Sequence, residues 1–251
     1  MDKLNPIVLI PARLASTRLP GKPLALIAGE AMIVQVWRRA MAAGIGPVAV
    51  ACAESEIAAA VERAGGKAVL TSPGHQSGSD RIFEALQKLD PGARHDVVVN
   101  VQGDLPLLDP AAIRAALSPL ADPACDIATL CAKLEPGEMD APSVVKVRAE
   151  FQQGKTIARA LSFSRKPLSP AWHHIGLYAY RRKVLERFVA LPPSASEKRE
   201  NLEQLRALDA GMRIDVALVD AVPFGVDTPA DLERARALFA QGQAPKSPKA
   251  S

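Results

Sequence analysis

Aromatic residues are scarce in this chain, and their scarcity argues against a surface that binds nucleic acid. Phe, Trp and Tyr together make up 4% of the 251 residues, whereas proteins that hold single-stranded nucleic acid stack the bases on aromatic side chains. Apolar runs are short as well, and none approaches the roughly 20 residues that a membrane-spanning helix requires. We therefore expect neither a nucleic-acid partner nor a membrane partner.

Cysteine is also rare, and the positions of the three cysteines point to no metal site or disulfide framework. Cys52, Cys125 and Cys131 are odd in number and lack the short spacing of metal-binding pairs. We interpret them as small buried apolar residues.

The first residues lead directly into an apolar segment and lack the basic, apolar and small-residue order of a signal peptide. We expect a cytoplasmic protein.

The bulk composition is that of a globular protein, with 48% hydrophobic and 23% charged residues. The formal net charge is +4, and Lys246 and Lys249 in a tail rich in Pro, Gln and Ser contribute part of it. We predict a single domain over residues 1–240 and a disordered tail over residues 241–251. The remaining positive charge would suit an anionic substrate or an ordinary solvated surface equally well.

The first half of the chain alternates short β-branched runs with amphipathic helical segments. Strands are predicted at 7–10, 48–51, 68–71 and 96–101. Helices are predicted from Met32 to Gly44, from a Ser55 cap to Gly65, over 81–89, and from Asp109-Pro110 to about Leu120. This alternation predicts an α/β fold with a largely parallel sheet flanked by helices.

The pattern changes after Asp126, where strands follow one another with short connections. Strands are predicted at 126–132, 144–148, 157–163 and 175–180, which indicates a mixed-sheet extension around residues 126–180. The earlier alternation then returns. One helix is predicted over 197–210, then a strand over 214–219 and a helix that Thr228-Pro229 opens.

The most informative segment, Pro11 to Pro23, follows the first predicted strand directly. It carries Arg13, Arg18 and Lys22 in a turn-rich loop. Ligands of α/β sheets lie at the carboxyl ends of the strands, and such a loop can surround a triphosphate with backbone and side-chain donors. Basic residues in a loop can also simply be solvated, so the pattern alone leaves both interpretations open.

Two well-known nucleotide-binding patterns are missing. The sequence contains no G-x-x-x-x-G-K-[ST], which excludes a P-loop enzyme. Gly44-Ile45-Gly46 ends a helix and precedes a strand, which is the reverse of the dinucleotide fingerprint. A dehydrogenase is therefore the weakest of the alternatives.

Two aspartates at turns are candidate magnesium ligands. Asp104 follows the predicted strand that ends at Val101, with Gly103 allowing a tight turn, and Asp227 directly precedes the last helix. Mg²⁺ is commonly held by one or two carboxylates, waters and phosphate oxygens. Each aspartate alone is more typical of a turn or a cap. The hypothesis of a Mg²⁺ site depends on the two meeting over the basic loop.

Six motifs in order resemble the 3-deoxy-manno-octulosonate (Kdo) cytidylyltransferase family, also called CMP-Kdo synthetases, and the match runs from Ile7 to about Phe239. The motifs are PARLASTRLPGKPL (11–24), HQSGSDR (75–81), VNVQGD (99–104), HIGLYAYR (174–181), LEQLRAL (202–208) and GVDTPADLERAR (225–236). The resemblance implies a glycosyltransferase-A-like nucleotidyltransferase fold with a central mixed, mostly parallel sheet flanked by helices. It further implies the conversion of CTP and Kdo to CMP-Kdo and pyrophosphate for lipopolysaccharide biosynthesis, with Mg²⁺ as cofactor and a homodimer as the assembly.

The resemblance also implies roles for individual residues. The residues that the resemblance assigns to catalysis are Arg13, Lys22, Asp104 and Asp227, and the two aspartates would be the metal ligands. The residues assigned to nucleotide binding are Ala12, Arg13, Arg18, Lys22, Ser79, Arg81 and Gln102. The residues assigned to sugar-acid binding are Gln102, Arg165, His174, Tyr178, Glu203 and Gln204.

Other interpretations of these residues remain open. His174 could be a buried structural histidine with His173 the functional one, and Glu203 and Gln204 could be solvated helix residues. The sequence departs from the family pattern at Leu105, where many members carry an acid. An enzyme for 8-amino-Kdo or an acylneuraminate is the nearest alternative function, and a non-catalytic nucleotide-binding module is a second.

Overall fold

The computed structural model describes residues 4–241, so most of the predicted tail, with Lys246 and Lys249, lies outside the described residues. Within that range the strands are β1 Pro6–Ala12, β2 Leu26–Ile27, β3 Glu30–Ala31, β4 Val48–Cys52, β5 Lys67–Leu70, β6 Val97–Asn100, β7 Ile127–Ala132, β8 Lys146–Ala149, β9 Ile157–Ser164, β10 Trp172–Arg181 and β11 Ile214–Leu218. The α-helices are α1 Met32–Ala42, α2 Ser55–Arg63, α3 Gly78–Leu89, α4 Pro110–Ala115, α5 Arg182–Ala190, α6 Ala195–Glu200, α7 Gln204–Asp209 and α8 Pro229–Ala240.

The chain divides into two compact units, of which the first comprises Leu4–Ile113 and, within the described residues, 223–241. Its strands form a parallel sheet in the order β5-β4-β1-β6. β1 lies in the middle, with Ile10 opposite Val50 and Val8 opposite Val99. β1, β4 and β6 are almost entirely buried because helices such as α1 and α3 pack against this sheet, whereas the edge strand β5 is partly exposed. The predicted α/β pattern is confirmed here.

The second unit, Arg114–Val222, has a mixed sheet. Its strands follow the order β10-β7-β11-β9-β8, and β8 also pairs with β10 through Val147 opposite Trp172. β7 and β11 run parallel, and the other pairs are antiparallel. The predicted change of pattern after Asp126 is therefore confirmed.

Three of the predicted helix boundaries are wrong. The helix predicted over 197–210 is two helices, because Asn201 adopts a left-handed conformation (φ 53°) and the Leu202 amide donates to the Glu197 carbonyl, which ends α6. Ser55 lies inside α2, and Glu54 is the cap residue, without a side-chain capping bond. The helix predicted to reach Leu120 ends at Ala115 and a separate 3₁₀ turn follows. The sequence analysis missed α5.

The three cysteines are buried and reduced, as predicted. Burial raises the pKa of Cys52 to about 11 and the pKa values of Cys125 and Cys131 to about 12. Such thiols remain protonated and unreactive at neutral pH. Among the helices of residues 4–241, none has the length and apolar character needed to cross a bilayer.

Candidate active site

The basic loop forms where β1 ends, at the carboxyl edge of the parallel sheet of the first unit. The loop closes when the Gly21 amide donates to the Leu14 carbonyl at 3.3 Å, and a 3₁₀ turn, Lys22–Leu24, follows. Gly21 has φ 69°, a left-handed conformation that glycine adopts without strain. The side chains of Arg13 and Arg18 are exposed, whereas Lys22 is 16% exposed. Arg13 makes no hydrogen bond or ion pair through its side chain with any residue from 4 to 241, so its charge is available to an anion.

The two predicted metal aspartates meet beside this loop, as the hypothesis required. The amide of Val226 donates to the carbonyl oxygen of Asp104 at 2.9 Å, which places Asp227 next to the loop after β6. Val226 is fully buried in an apolar cluster with residues of α8 such as Leu232. Thr228 caps α8 in a capping box with Asp231. The start of α8 therefore fixes Asp227 from one side and Val226 fixes it from the other.

Lys22 lies between the two carboxylates. Its Nζ is 2.8 Å from Oδ2 of Asp104 and 3.1 Å from Oδ1 of Asp227. Arg18 reaches the other oxygen of Asp227 at 3.1 Å. Burial disfavours the charged form of Lys22, but the attraction of Asp104 and Asp227 outweighs it and raises the pKa of the lysine. The lysine is therefore a fully charged ammonium held between two acids.

This arrangement fits a divalent cation that two carboxylates share. The Lys22 ammonium shows that one positive centre can reach an oxygen of each aspartate at the same time. No group of three or more His, Cys, Asp or Glu side chains is arranged for metal binding in the part of the chain that is described. Two carboxylates are a usual protein contribution to Mg²⁺, whose other ligands are waters and phosphate oxygens. The donor set therefore suits magnesium at a phosphate.

Gly103 has a role other than the tight turn predicted for it. A Cβ atom at this position would lie 2.8 Å from the carbonyl oxygen of Pro11, closer than real Cβ contacts allow. The absence of a side chain lets the loop after β6 approach the end of β1. Glycine is needed at this position because two backbone segments pack together, and this contact brings Asp104 to the basic loop.

Two adjoining cavities open along the end of β1. The larger, of ≈410 Å³, contains Arg13, Arg18, Lys22, Asp104 and Asp227 in its walls. The smaller, of ≈140 Å³, is lined by residues of the loop before α3 and by Arg81. The two share four lining residues, namely Pro11, Ala12, Arg13 and Gln102. One extended ligand could therefore occupy both, with phosphates in the larger cavity.

The two α3 residues predicted to lie near the nucleotide differ in position. Arg81 lines the small cavity although it is only 2% exposed. Its Nη1 donates to Thr71 Oγ1 at 2.7 Å, and its Nη2 is buried without a hydrogen-bond partner among the described residues. Ser79 is 1% exposed and is not among the residues that line either cavity. The cavity wall is formed instead by its neighbours Ser77 and Gly78.

A carboxylate that the sequence analysis missed holds the wall of the small cavity. Glu84 Oε2 accepts from the Ser72 amide at 2.9 Å and contacts His75 Nε2, and its Oε1 binds Lys88 at 2.7 Å. Partial burial opposes ionisation, but Lys88, the Ser72 amide and His75 lower the pKa of Glu84 to about 2. His75 lines the cavity. The i,i+4 spacing of Glu84 and Lys88 was the available sequence signal.

The predicted sugar-acid residues lie in the second unit, and His174 is buried there. Its Nε2 lies 3.1 Å from the hydroxyl of Thr129, whose own proton faces the carbonyls of Ile175 and Leu177 at 3.0 and 2.9 Å. The hydroxyl therefore accepts from Nε2–H, and Nδ1 is left as an acceptor. Burial, with a smaller contribution from His173, lowers the pKa of His174 to about 3. His174 is neutral at physiological pH.

Three further sugar-acid candidates lie near one another. The ring of Tyr178 is 5.6 Å from that of His174. Burial first, and then the charges of Tyr180 and Glu203, raise the pKa of Tyr178 well above its ordinary value. Gln204, the first residue of α7, is 7% exposed, so it is not the solvated helix residue of the alternative interpretation.

Arg165 and His173 contact a different part of the second unit. The Arg165 side chain donates to the carbonyl of Pro142 at 3.2 Å, and His173 pairs with Glu138 at 2.9 Å. The Nζ of Lys146, which is fully buried, donates to the carbonyls of Ala141, Val144 and Arg165. Among the described residues, none of these interactions joins Arg165 to His174 or Tyr178. The structure therefore brings together four of the five sugar-acid candidates of this unit.

The cytidylyltransferase family model matches residues 7–214. A curated relative from Methylobacterium radiotolerans, a 3-deoxy-manno-octulosonate cytidylyltransferase, is 65% identical over 94% of this chain and 97% of its own length. The enzyme with that name from Paramagnetospirillum magneticum is 60% identical over 95% of this chain and 99% of its own. This chain belongs to the 3-deoxy-manno-octulosonate cytidylyltransferase family. The predicted resemblance is confirmed.

Solved structures agree with this assignment. The structure of a CMP:2-keto-3-deoxy-manno-octonic acid synthetase complexed with CTP matches with a TM-score of 0.87 and 42% identity, over 95% of this chain and 99% of that one. A 4-diphosphocytidyl-2C-methyl-D-erythritol synthase from Anaerococcus prevotii has a TM-score of 0.65 at 12% identity, over 94% of this chain and 99% of that one. The second likeness shows the fold alone. The predicted nucleotidyltransferase fold is confirmed.

Proposed function

We propose that this protein transfers CMP from CTP to the anomeric hydroxyl of Kdo, giving CMP-Kdo and pyrophosphate for lipopolysaccharide biosynthesis. The observation that carries the proposal is the meeting of Asp104 and Asp227 around one cation beside the basic loop. A module that only senses nucleotides does not need such a carboxylate pair. The curated relatives that cover nearly the whole chain bear the name of this activity.

In this reaction the anomeric oxygen forms a bond to the α-phosphorus of CTP, and the bond from that phosphorus to the pyrophosphate oxygen breaks. The proton of the hydroxyl is lost, and negative charge grows on the phosphoryl oxygens and on pyrophosphate. The residues of the loop, Arg13, Arg18 and Lys22, would bind and orient the triphosphate and stabilise this charge. The nucleophile has to be held about 3–3.5 Å from phosphorus, so positioning contributes more than a strong base.

Asp104 and Asp227 would hold Mg²⁺ against the triphosphate. Bound there, the ion would polarise the phosphoryl oxygens as a Lewis acid. Arg13 has no partner through its side chain within residues 4–241 and would contact phosphate directly. Lys22, which contacts both aspartates, would contribute its positive charge to the binding of the triphosphate.

The sugar acid would be bound by His174, Tyr178, Glu203 and Gln204. His174 is neutral and offers Nδ1 as an acceptor, which suits a sugar hydroxyl. Gln102, which lines the two cavities of the first unit, and Arg165 are proposed as further contacts. Arginine pairs well with a carboxylate such as that of the sugar acid.

The test is pyrophosphate release by the purified protein with CTP and MgCl₂, with Kdo, 8-amino-Kdo and N-acetylneuraminate compared in parallel. We expect Kdo to be the best acceptor by kcat/KM. Preference for either of the other sugar acids would assign the protein to that substrate. No release with any of the three would refute the proposed reaction.

We also propose that the protein acts in the cytoplasm as a homodimer. The outward face of β9 supports an assembly, because Ile157 and Leu161 are exposed on it at 38% and 43%. Light scattering after gel filtration would measure the mass in solution. A dimer that Leu161→Asp converts to a monomer supports this interface, and a monomeric parent protein refutes it.

A further inference from the structure

We propose that His75 reads the nucleobase: its Nδ1 accepts a hydrogen bond from the exocyclic amine of cytosine, and Glu84 is the positioning residue that fixes the ring. The inference deepens the proposed function, because it explains how one site would distinguish CTP from UTP. It concerns a different cavity from that of the metal carboxylates, so the two can be tested separately.

The size and place of the small cavity suit a single pyrimidine ring. Its volume is ≈140 Å³, and a cavity of about 150 Å³ is sufficient for one benzene ring. It shares Arg13 and Gln102 with the cavity that contains the basic loop. A nucleotide with its phosphates at that loop would therefore place its base here, and a purine, with two rings, fits poorly.

Glu84 determines which nitrogen of His75 carries the proton. A carboxylate is an acceptor only, so the contact between Glu84 Oε2 and His75 Nε2 requires a proton on Nε2. In the neutral imidazole the other nitrogen, Nδ1, is then an acceptor. Among the described residues Glu84 is the partner of this ring, and Nδ1 has none. Since His75 lines the cavity, Nδ1 is the nitrogen left for a ligand.

Glu84 also fixes the position of the ring. The same Oε2 that contacts His75 accepts from the Ser72 amide, so the carboxylate holds two residues of the segment before α3 against the helix. Arg81, one turn earlier on α3, donates to Thr71 Oγ1 and to the Ser72 carbonyl. The wall of the cavity is therefore attached to a regular helix.

The resulting pattern of donors and acceptors matches cytosine. Arg81 has its Nη2 donors buried without a partner among residues 4–241, and they suit the ring acceptors of a pyrimidine. His75 Nδ1 is an acceptor, which suits the amino group at position 4 of cytosine. Uracil carries a keto oxygen, which is an acceptor, at position 4 instead. This oxygen and His75 Nδ1 would repel each other. Uracil would therefore be disfavoured.

The decisive variant is His75→Phe, which keeps a ring and removes the acceptor. CTP and UTP affinities would be measured by calorimetry at pH 8. We expect the parent protein to bind CTP more tightly than UTP. In His75→Phe the ratio of the two affinities should fall at least about tenfold, as the loss of one buried hydrogen bond predicts. An unchanged CTP-to-UTP ratio in the folded variant would overturn the proposal. His75→Leu serves if the Phe variant does not fold.

Glu84 is tested as a positioning residue by two substitutions and a control. Glu84→Gln keeps an oxygen that can accept from both Ser72 and His75, so it should retain most of the preference for CTP. Glu84→Ala removes both contacts and should raise the KM for CTP about tenfold with little change in kcat. Lys88→Met is the matched control, because Lys88 binds Glu84 but not His75. Equal effects of Glu84→Ala and Lys88→Met would refute the positioning role.

The two proposals fail in different ways. A parent protein that releases no pyrophosphate would refute the proposed reaction while the nucleotide affinities still test His75. A parent protein that is active and prefers CTP, with a His75→Phe variant that prefers it equally, would refute only the role of His75.

Discussion

Replacing Lys22 by methionine tests the idea that the two aspartates form a cation site. The change keeps the length of the side chain and removes the ammonium between Asp104 and Asp227. The bond from Lys22 to Asp104 joins two charged groups, and such a hydrogen bond contributes about 1.5–3 kcal/mol. Asp104 is 31% exposed, so solvent screens this bond less than the bond to Asp227. Asp227 is 47% exposed, so solvent screening limits its contribution to less than about 1 kcal/mol. We expect Lys22→Met to lower the free energy of unfolding by about 2 kcal/mol in EDTA.

Added magnesium should reverse most of that loss. An ion that binds the folded variant with a Kd of about 1 mM would restore about 1.4 kcal/mol at about 10 mM. The parent protein should gain less, because Lys22 already occupies the position between the carboxylates. Urea unfolding of both proteins with EDTA and with MgCl₂ measures these differences, and Lys88→Met is a control for loss of a lysine ion pair elsewhere. A variant as stable as the parent in EDTA, or one insensitive to magnesium, would refute this reasoning.

Three further predictions follow from the site. Asp104→Asn or Asp227→Asn should lower pyrophosphate release about a hundredfold or more with an intact fold by circular dichroism; near-parental activity at ordinary magnesium levels would contradict the metal assignment. His174→Ala should lower kcat/KM for the sugar acid about tenfold and leave the CTP affinity unchanged; equal losses for both substrates would place His174 elsewhere. The depressed pKa of Glu84 contributes stability that is complete above about pH 4.5 and is lost as the pH falls towards 2. Urea unfolding should therefore show the stability advantage over Glu84→Gln shrinking in that window, and a constant difference would contradict it.

Local sequence signals predicted most of the secondary structure because they act over a few residues. The Thr228-Pro229 start of α8 and the Gly211 stop after α7 are examples, since cap geometry depends on neighbouring backbone groups. The continuous helix predicted over 197–210 was wrong for the opposite reason. The apolar spacing of Leu202 and Leu205 suits a helix, but nothing in that periodicity reports that Asn201 turns the chain just before Leu202.

The candidate site shows a similar division. The order of motifs was sufficient to identify the family, which the relatives then confirmed, and it singled out Arg13, Lys22, Asp104 and Asp227. It gave no role to Glu84, because the contact of Glu84 with His75 spans nine residues and depends on how the loop folds back over α3. It also grouped Arg165 with His174, whereas the Arg165 side chain contacts the carbonyl of Pro142.

The amino-acid sequence by itself determined the α/β pattern, the family and the residue types that the chemistry needs, because these are recorded in local order and composition. Only the tertiary structure decided that an aspartate after β6 and another before α8 share one lysine. That contact depends on the bond from Val226 to Asp104 and on the close approach that Gly103 permits. Both are consequences of packing between segments far apart in the chain, on which local periodicity carries no information.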